Sequence, residues 1–308
     1  PAMPPAHCQP LPPGTVIDTY RVEKLISRGG YSLVYLARDS EEGLVVIKEY
    51  LPDALATRAA GSLEPQVNPE GQGKFNTGMR SFLEEAKLLA RIRHPNVVSV
   101  LNFSKAHGTA YLVMRHEEGC SLHEHIVRKA KAGAPIREEF LRGVFVRLLA
   151  GLREVHKQKL LHLDLKPANI FLRRDGNPVL LDFGAARWGL GEAQVNLGNI
   201  YTLGFAAPEQ QQADGELGPW TDIYAIGATL YSCLSGGVTP LAADRRLKGE
   251  VLPPAEVRWA RQYSPQLLEL IDWCLRLPIM ARPQSIYALQ KVLSGELLDI
   301  VDPSWFSS

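Results

Sequence analysis

His162-Leu163-Asp164-Leu165-Lys166-Pro167-Ala168-Asn169 is the stretch on which the reading of this chain turns. Five specialised side chains (His, Asp, Lys, Pro, Asn) stand within eight positions, between a helical pattern at 140–157 and a strand-like run, Ile170-Phe171-Leu172-Arg173. At roughly one in twenty per position, five such residues in fixed order would occur somewhere in a chain of this size with odds of about one in ten thousand. Coincidence is a poor explanation. An acid, a cation and an amide oxygen so close together describe a polar site at the junction of a helix and a strand.

Other runs fall into place on either side. Val45-Val46-Ile47-Lys48 ends the third of three strand-like segments, and Glu85 lies on a helical stretch with apolar spacing at Phe82, Ala86, Leu89 and Ile92. Asp182-Phe183-Gly184 follows the apolar Pro178–Leu181 run, Ala207-Pro208-Glu209 comes next, Asp222 opens an apolar helix, and Arg282 sits in Ala281-Arg282-Pro283. A lone Asp-Phe-Gly is usually a turn and a lone Val-Ile-Lys says less still; their order carries the inference. In that order they resemble eukaryotic-type (Hanks-type) serine/threonine protein kinases of bacteria, from about Tyr20 to Leu298. Lys48-Glu49-Tyr50-Leu51-Pro52 looks like a subgroup that includes the kinase regulating type VI secretion.

The resemblance implies an α+β, bilobal protein kinase fold: a small antiparallel sheet lobe with one main helix, and a larger, mainly helical lobe. The boundaries read as a proline-rich, disordered leader at 1–19, a small lobe at 20–117 with an insertion at 53–80, a large lobe at 118–298 and a tail at 299–308. Six prolines in the first thirteen residues suggest the leader. Glycines and prolines between 53 and 80 suggest that no long helix begins before Phe82.

The same resemblance implies phosphoryl transfer from ATP with magnesium, or manganese in its place, to Ser or Thr of proteins, including the chain itself through self-association. Such chemistry needs positioning and charge neutralisation more than covalent help. Asp164 would accept the hydroxyl proton and Lys166 would balance charge on the transferred group. Lys48, held by Glu85, would grip the α- and β-phosphates. Asn169 and Asp182 would offer hard oxygens to magnesium. Ser27, Gly29, Gly30 and Ser32 align with the phosphate loop, Val34, Val46 and Phe171 with the walls around adenine, and Met114, Arg115 and Glu117 with the hinge. His162 is expected to pack with Phe183, Leu89 and Val100 rather than move protons. Thr202 aligns with a threonine that contacts the catalytic aspartate and lysine.

Three departures stand out. The loop reads Ser27-Arg28-Gly29-Gly30-Tyr31-Ser32 where relatives have three spaced glycines. Leu163 replaces an arginine that clamps a phosphorylated activation segment in many kinases, and Ala185 to Ile200 holds no Ser, Thr or Tyr. Activity independent of activation-segment phosphorylation is the expectation. Finally, Glu85 comes 37 positions after Lys48 (85 − 48), an unusually wide gap filled by the 53–80 segment. Two rival readings are a nucleotide-binding pseudokinase scaffold and a small-molecule phosphotransferase of the antibiotic or choline kinase kind, the latter disfavoured by Ala207-Pro208-Glu209 and Arg282.

Composition excludes other classes. With 34 basic and 33 acidic residues among 308, the net charge is +1, which gives no electrostatic case for nucleic acid or an anionic membrane. Apolar residues at 45% suit a globular chain with a sizeable core. The four cysteines lie far apart with neither metal nor disulfide spacing, which fits a cytoplasmic chain or the cytosolic part of a longer membrane-anchored one. The uncharged run 223–243 contains Gly236-Gly237 and Pro240, so it reads as a buried core helix rather than a membrane span. His123 and His125, two apart, fall on different helix faces and read as solvated surface rather than a metal pair.

Overall fold

A computed structural model describes residues 8–41, 43–183, 202–212 and 214–295. They divide into two compact units, the first comprising 8–93 and 98–117, the second 94–97 and 118 onward.

The first unit is built on strands β1 (Val16–Ile17), β2 (Tyr20–Arg28), β3 (Ser32–Arg38), β4 (Leu44–Tyr50), β7 (Val100–Ala106) and β8 (Thr109–Arg115), in the spatial order β1-β2-β3-β4-β8-β7, all neighbours antiparallel. Alternation decides which side chains enter the core. Leu33, Tyr35 and Ala37 of β3 and Val45, Ile47 and Glu49 of β4 are buried on one phase, while Val34, Val46 and Lys48 take the other. A small hairpin, β5 (Ala56–Thr57) with β6 (Gln66–Val67), precedes helix α1 (Gln72–Leu89).

Two expectations are corrected here. Helix α1 begins at Gln72, ten residues before Phe82. Phe75, Met79, Phe82, Leu83, Ala86 and Leu89 recur at helical spacing and form one apolar stripe, and tertiary burial of Phe75 outweighs the cost of about 1 kcal/mol for each of Gly73 and Gly78. The 53–80 segment is therefore mostly hairpin and helix. Nor is the leader unstructured from residue 8 on. Cys8, Leu11 and Ile17 join the core of this unit, the Leu11 amide donates to the Tyr35 hydroxyl at 3.0 Å, and Arg28 donates to Cys8 O at 2.6 Å. The prolines there set an extended path that sequence-distant side chains then hold; residues 1–7 and the tail from 296 lie outside the described residues.

The second unit holds a small sheet, β9 (Gly119–Ser121), β10 (Ile170–Arg173) and β11 (Pro178–Leu180), in the order β11-β10-β9. Gly119, at φ +153°, is required because a Cβ there would meet Leu172 O at 1.9 Å. Its helices are α2 (Leu122–Lys131), α3 (Glu138–Lys157), α4 (Pro219–Leu234), α5 (Ala243–Leu247), α6 (Ala255–Trp259), α7 (Pro265–Cys274) and α8 (Ile286–Ser294). Helix α4 is buried almost throughout and stops before Gly236-Gly237, and α3 packs on α8 while α4 packs on α7. No helix among the described residues is long and apolar enough to cross a membrane. Residues 94–97 belong to this unit: Asn96 Nδ2 donates to Pro178 O at 2.7 Å, and Val97 bridges Leu180.

The histidine pair also differs from expectation. His123 is exposed, but His125 stacks on Phe140 with ring centroids 4.6 Å apart. Among the described residues no cluster of three His, Cys, Asp or Glu could hold a metal, and all four cysteines are free thiols.

Candidate active site

The loop between α3 and β10 gathers the polar groups that the sequence placed side by side. Lys166 Nζ donates to Asp164 Oδ2 at 2.8 Å and to Thr202 Oγ1 at 2.6 Å, and Thr202 Oγ1 donates to Asp164 Oδ1 at 2.9 Å. Asn169 Nδ2 donates to Asp164 O at 2.8 Å and to its Oδ2 at 3.0 Å. Three side-chain donors thus fix the Asp164 carboxylate, which stays partly exposed, while Asn169 is buried. Because Asn169 turns its NH2 to Asp164, its Oδ1 is the end left for a metal.

A buried carboxylate holds the loop in this shape. Asp222, in the first turn of α4, accepts from the amides of His162 and Leu163, both at 2.9 Å, and bonds His156 Nε2 at 2.7 Å. Leu163 sits at φ +63°, a left-handed conformation that a leucine adopts only when its surroundings impose it. Asp222 supplies that constraint from one side and Gln210 Nε2, donating to Leu163 O at 2.8 Å, from the other. Burial works to raise the Asp222 pKa, but the hydrogen bond and charge of His156, with His162 behind them, leave it below the usual carboxylate range.

His162 has the opposite problem. Burial pushes its pKa below the ordinary value, against the pull of Asp222 and of the Leu181 carbonyl. The neutral ring satisfies both nitrogens: Nε2 lies 2.8 Å from Leu181 O as donor, and Nδ1 accepts from the Asp164 amide at 3.4 Å. That bond assigns the tautomer. Phe183 packs on the ring at 4.5 Å, so within this unit His162 is a packing and bracing group. Asp182 sits next to it at φ +48°, and the preceding Leu181 amide donates to Asn169 O at 3.0 Å. Asp182 and Asn169 together offer hard oxygens in the number magnesium takes from protein when phosphates and water complete its shell, so the donor set fits that ion. Gly184 and the run 185–200 lie outside the described residues.

Below the loop, Glu209 is gripped by Arg282 through two parallel bonds, both 2.8 Å, and accepts from Thr221 Oγ1 at 3.0 Å. Arg282 also donates to the carbonyls of Arg276, Leu277 and Trp220. Phe171, the expected adenine wall in this unit, is half-buried on β10.

The first unit carries the other expected groups. Lys48, Val34 and Val46 share the half-buried phase of β3 and β4, and Glu85 is half-buried on α1. Met114 is buried at the end of β8, followed by Arg115 and Glu117. The Arg115 amide donates to Ser99 O at 2.9 Å, so a base contact at that residue falls to its carbonyl. Flanking the turn between β2 and β3, Ser27 near the end of β2 is exposed and Ser32 at the start of β3 is half-buried; a Cβ at Gly30 in the turn would meet nothing within 4 Å, which leaves the backbone open to a ligand. The turn is held from behind: Leu51 N donates to Tyr31 O at 2.8 Å and Asp53 N to Gly30 O at 2.9 Å.

One cluster was missed by sequence reasoning. Glu49, adjacent to Lys48 but on the buried phase, receives Arg58 Nη1 at 2.5 Å and Nη2 at 2.8 Å, with the hydroxyls of Tyr35 at 2.7 Å and Tyr111 at 3.1 Å. Burial opposes the Arg58 charge, but the hydrogen bonds and charge of Glu49 outweigh it and raise the pKa. The available signal was a carboxylate in phase with Val45 and Ile47, which cannot be buried without a cation.

Comparison with known proteins adds the following. The family model for "Protein kinase domain" matches residues 20–294. Serine/threonine-protein kinase pkn3 of Myxococcus xanthus is 29% identical over 298 residues, covering 91% of this chain and 50% of its own length. Serine/threonine-protein kinase D of Synechocystis sp. is 30% identical over 232 residues, covering 71% of this chain and 41% of its own length. The chain spans about half the length of such curated relatives. Among solved structures, the apo form of PpkA-294 is 32% identical with a TM-score of 0.78, covering 92% of this chain and 99% of that one. The kinase domain of Mycobacterium tuberculosis PknI, 21% identical with a TM-score of 0.68, shares the fold.

Proposed function

Because this chain belongs to the protein kinase domain family, we propose that it transfers the γ-phosphate of ATP to Ser or Thr hydroxyls of proteins, itself included. The observation that carries the reading is the Asp164 carboxylate held by Lys166, Thr202 and Asn169 in one hydrogen-bonded set.

In this reading the acceptor hydroxyl approaches Asp164, whose carboxylate takes the proton as the oxygen attacks phosphorus. A fixed base of this kind contributes about 10²–10⁴-fold. Lys166 sits on the same carboxylate and brings positive charge to the oxygens of the transferred group. Thr202 holds the pair in register from the segment that follows the activation region. Lys48, supported by Glu85, grips the α- and β-phosphates; the Gly29–Gly30 backbone lies along them; Val34 and Val46 line the base, with the hinge carbonyl of Arg115 and the backbone of Glu117 as its polar contacts. Asn169 and Asp182 would hold magnesium, which when bound neutralises phosphate charge.

Placement within the type VI secretion-associated subgroup rests on the Lys48–Pro52 run. Lys166 followed by Pro167 supports serine and threonine over tyrosine, and the absence of hydroxyl side chains from 185 to 200 supports turnover without phosphorylation there. The test is incubation with labelled ATP and magnesium followed by mapping of the labelled residues, beside Asp164→Ala. Label on Ser or Thr that falls at least about 100-fold in the variant is the expected result; unchanged incorporation sinks the mechanism.

A further inference from the structure

The connection between β4 and α1 touches three elements on which a nucleotide would depend. At its start, the Leu51 and Asp53 amides hold the Tyr31 and Gly30 carbonyls of the turn between β2 and β3. At its end it runs into α1, the helix of Glu85: Asn68 N donates to Leu55 O at 2.9 Å, Leu55 packs against Gly71, and Tyr50 packs on Phe75 and Phe82 with ring centroids 5.2 and 5.8 Å away. In its middle stands Arg58, 2% exposed, with every nitrogen engaged. Both Nη atoms grip Glu49, the neighbour of Lys48; Nη2 reaches the Tyr35 hydroxyl at 3.0 Å, Nη1 reaches Leu63 O at 3.4 Å and Nε reaches Gln9 O at 2.8 Å. The leader answers with Gln9 N to Arg58 O at 3.0 Å and Cys8 Sγ to Ala56 O at 3.0 Å.

We propose that Arg58 is a positioning residue for the phosphate-gripping groups: seated on Glu49, it fixes the 51–71 connection and so the placement of α1 with Glu85, and of the Gly29–Gly30 turn, relative to Lys48. The inference rests on the reading of Lys48 and Glu85 as nucleotide-binding residues. It assigns to a permanent buried ion pair the ordering that a phosphorylated activation segment would otherwise impose, consistent with Leu163 and with the lack of hydroxyls at 185–200. A planar fork is required, because five donors in fixed geometry reach a carboxylate, a hydroxyl and two backbone carbonyls at once; an ammonium cannot.

The experiment compares the full chain with Arg58→Lys and with the double variant Glu49→Gln/Arg58→Met, which removes both buried charges and so preserves folding should the single change abolish it. Steady-state kcat and the KM values for ATP and a peptide are measured well below each melting midpoint, with amide exchange on residues 72–80, 29–32 and, as reference, α4. Expected are a fall in kcat of about tenfold or more, an unchanged peptide KM, and faster exchange at 72–80 and 29–32 with α4 unaltered. The double variant is expected to recover its melting midpoint and not its turnover. Folded variants with kcat and ATP KM within about twofold of the parent, or turnover that only tracks the folded fraction, would overturn the proposal. If the parent itself transfers no phosphate, the kinase reading fails instead, and the exchange pattern alone then decides the role of Arg58: unchanged exchange at 72–80 overturns it.

Discussion

Arg282 in the second unit and Arg58 in the first each hold a buried glutamate with both terminal nitrogens, at 2.8 and 2.8 Å and at 2.5 and 2.8 Å. Their surroundings differ. Arg282 completes its donors on three carbonyls, two of them within six residues, and its glutamate has one further donor, Thr221. Arg58 completes its donors on Gln9, Leu63 and the Tyr35 hydroxyl, and its glutamate has two further donors, Tyr35 and Tyr111. The second-unit pair mainly welds loops beneath the Asp164 loop. The first-unit pair ties a leader and a connection to the strand of Lys48. A buried ion pair stabilises only as far as every remaining lone pair and proton finds a partner, so the two grips should respond unequally to the same cut.

The largest expected effect follows from that inequality. Arg282→Met leaves the Glu209 carboxylate buried with a single hydroxyl donor and should cost about 3–5 kcal/mol in urea unfolding. Arg58→Met leaves Glu49 with two tyrosine donors, and one more bond to a charged acceptor is worth about 1.5–3 kcal/mol, so its cost should be smaller by roughly that amount. Equal midpoint shifts would erase the distinction. Next comes acid. The titrating groups with depressed pKa and buried partners, His162 and Asp222, are all in the second unit, as are the half-buried His94 and His125. Below the ordinary histidine value of 6.5 the unfolded chain takes up a proton at His162 that the folded chain refuses, so stability falls as pH drops through that range. The depressed Asp222 contributes stability above the ordinary aspartate value of about 3.8, and loses it as pH falls below. Amide protection, taken relative to the intrinsic exchange rate at each pH, should therefore fall first in the second unit between pH 7 and 5, and His162→Asn should flatten the pH dependence of its melting; first opening of the sheet unit would contradict this. The smallest effect is the control. Lys87 and Glu84 on α1 make the same kind of ion pair at 2.6 Å while roughly half exposed, and Lys87→Ala should change stability by less than about 0.5 kcal/mol. A larger loss would mean that coulombic attraction rather than desolvation governs all three pairs.

The Glu209–Arg282 pair was legible because each residue stands in a short run whose neighbours are also specialised. The same is true of Asp164, Lys166 and Asn169, whose mutual contacts need only a tight turn between helix and strand. Glu49 and Arg58 were not, although the alternation of β4 marks Glu49 as buried, because the partner could be any of several cations and the tyrosines come from two other strands. The start of α1 was hidden by Gly73 and Gly78, whose low propensity is overridden by the buried stripe from Phe75 to Leu89. The leader was misread for a related reason: its prolines report a stiff, extended chain and say nothing about whether a surface waits to receive it.

The amino-acid sequence by itself determined the family, the order of strands and helices around Lys48 and Asp164, and the short-range cluster at 162–169, since those depend on periodicity and on residues near one another in the chain. Only the tertiary structure decided that Glu49, Arg58, Tyr35, Tyr111 and Gln9 form one buried network, that a leucine at 163 is held left-handed by Asp222, and that His162 stays neutral. The physical reason is that burial and hydrogen-bond completion are properties of a whole environment, to which residues dozens of positions apart contribute at once, whereas pattern in a linear chain reports only what each segment prefers alone.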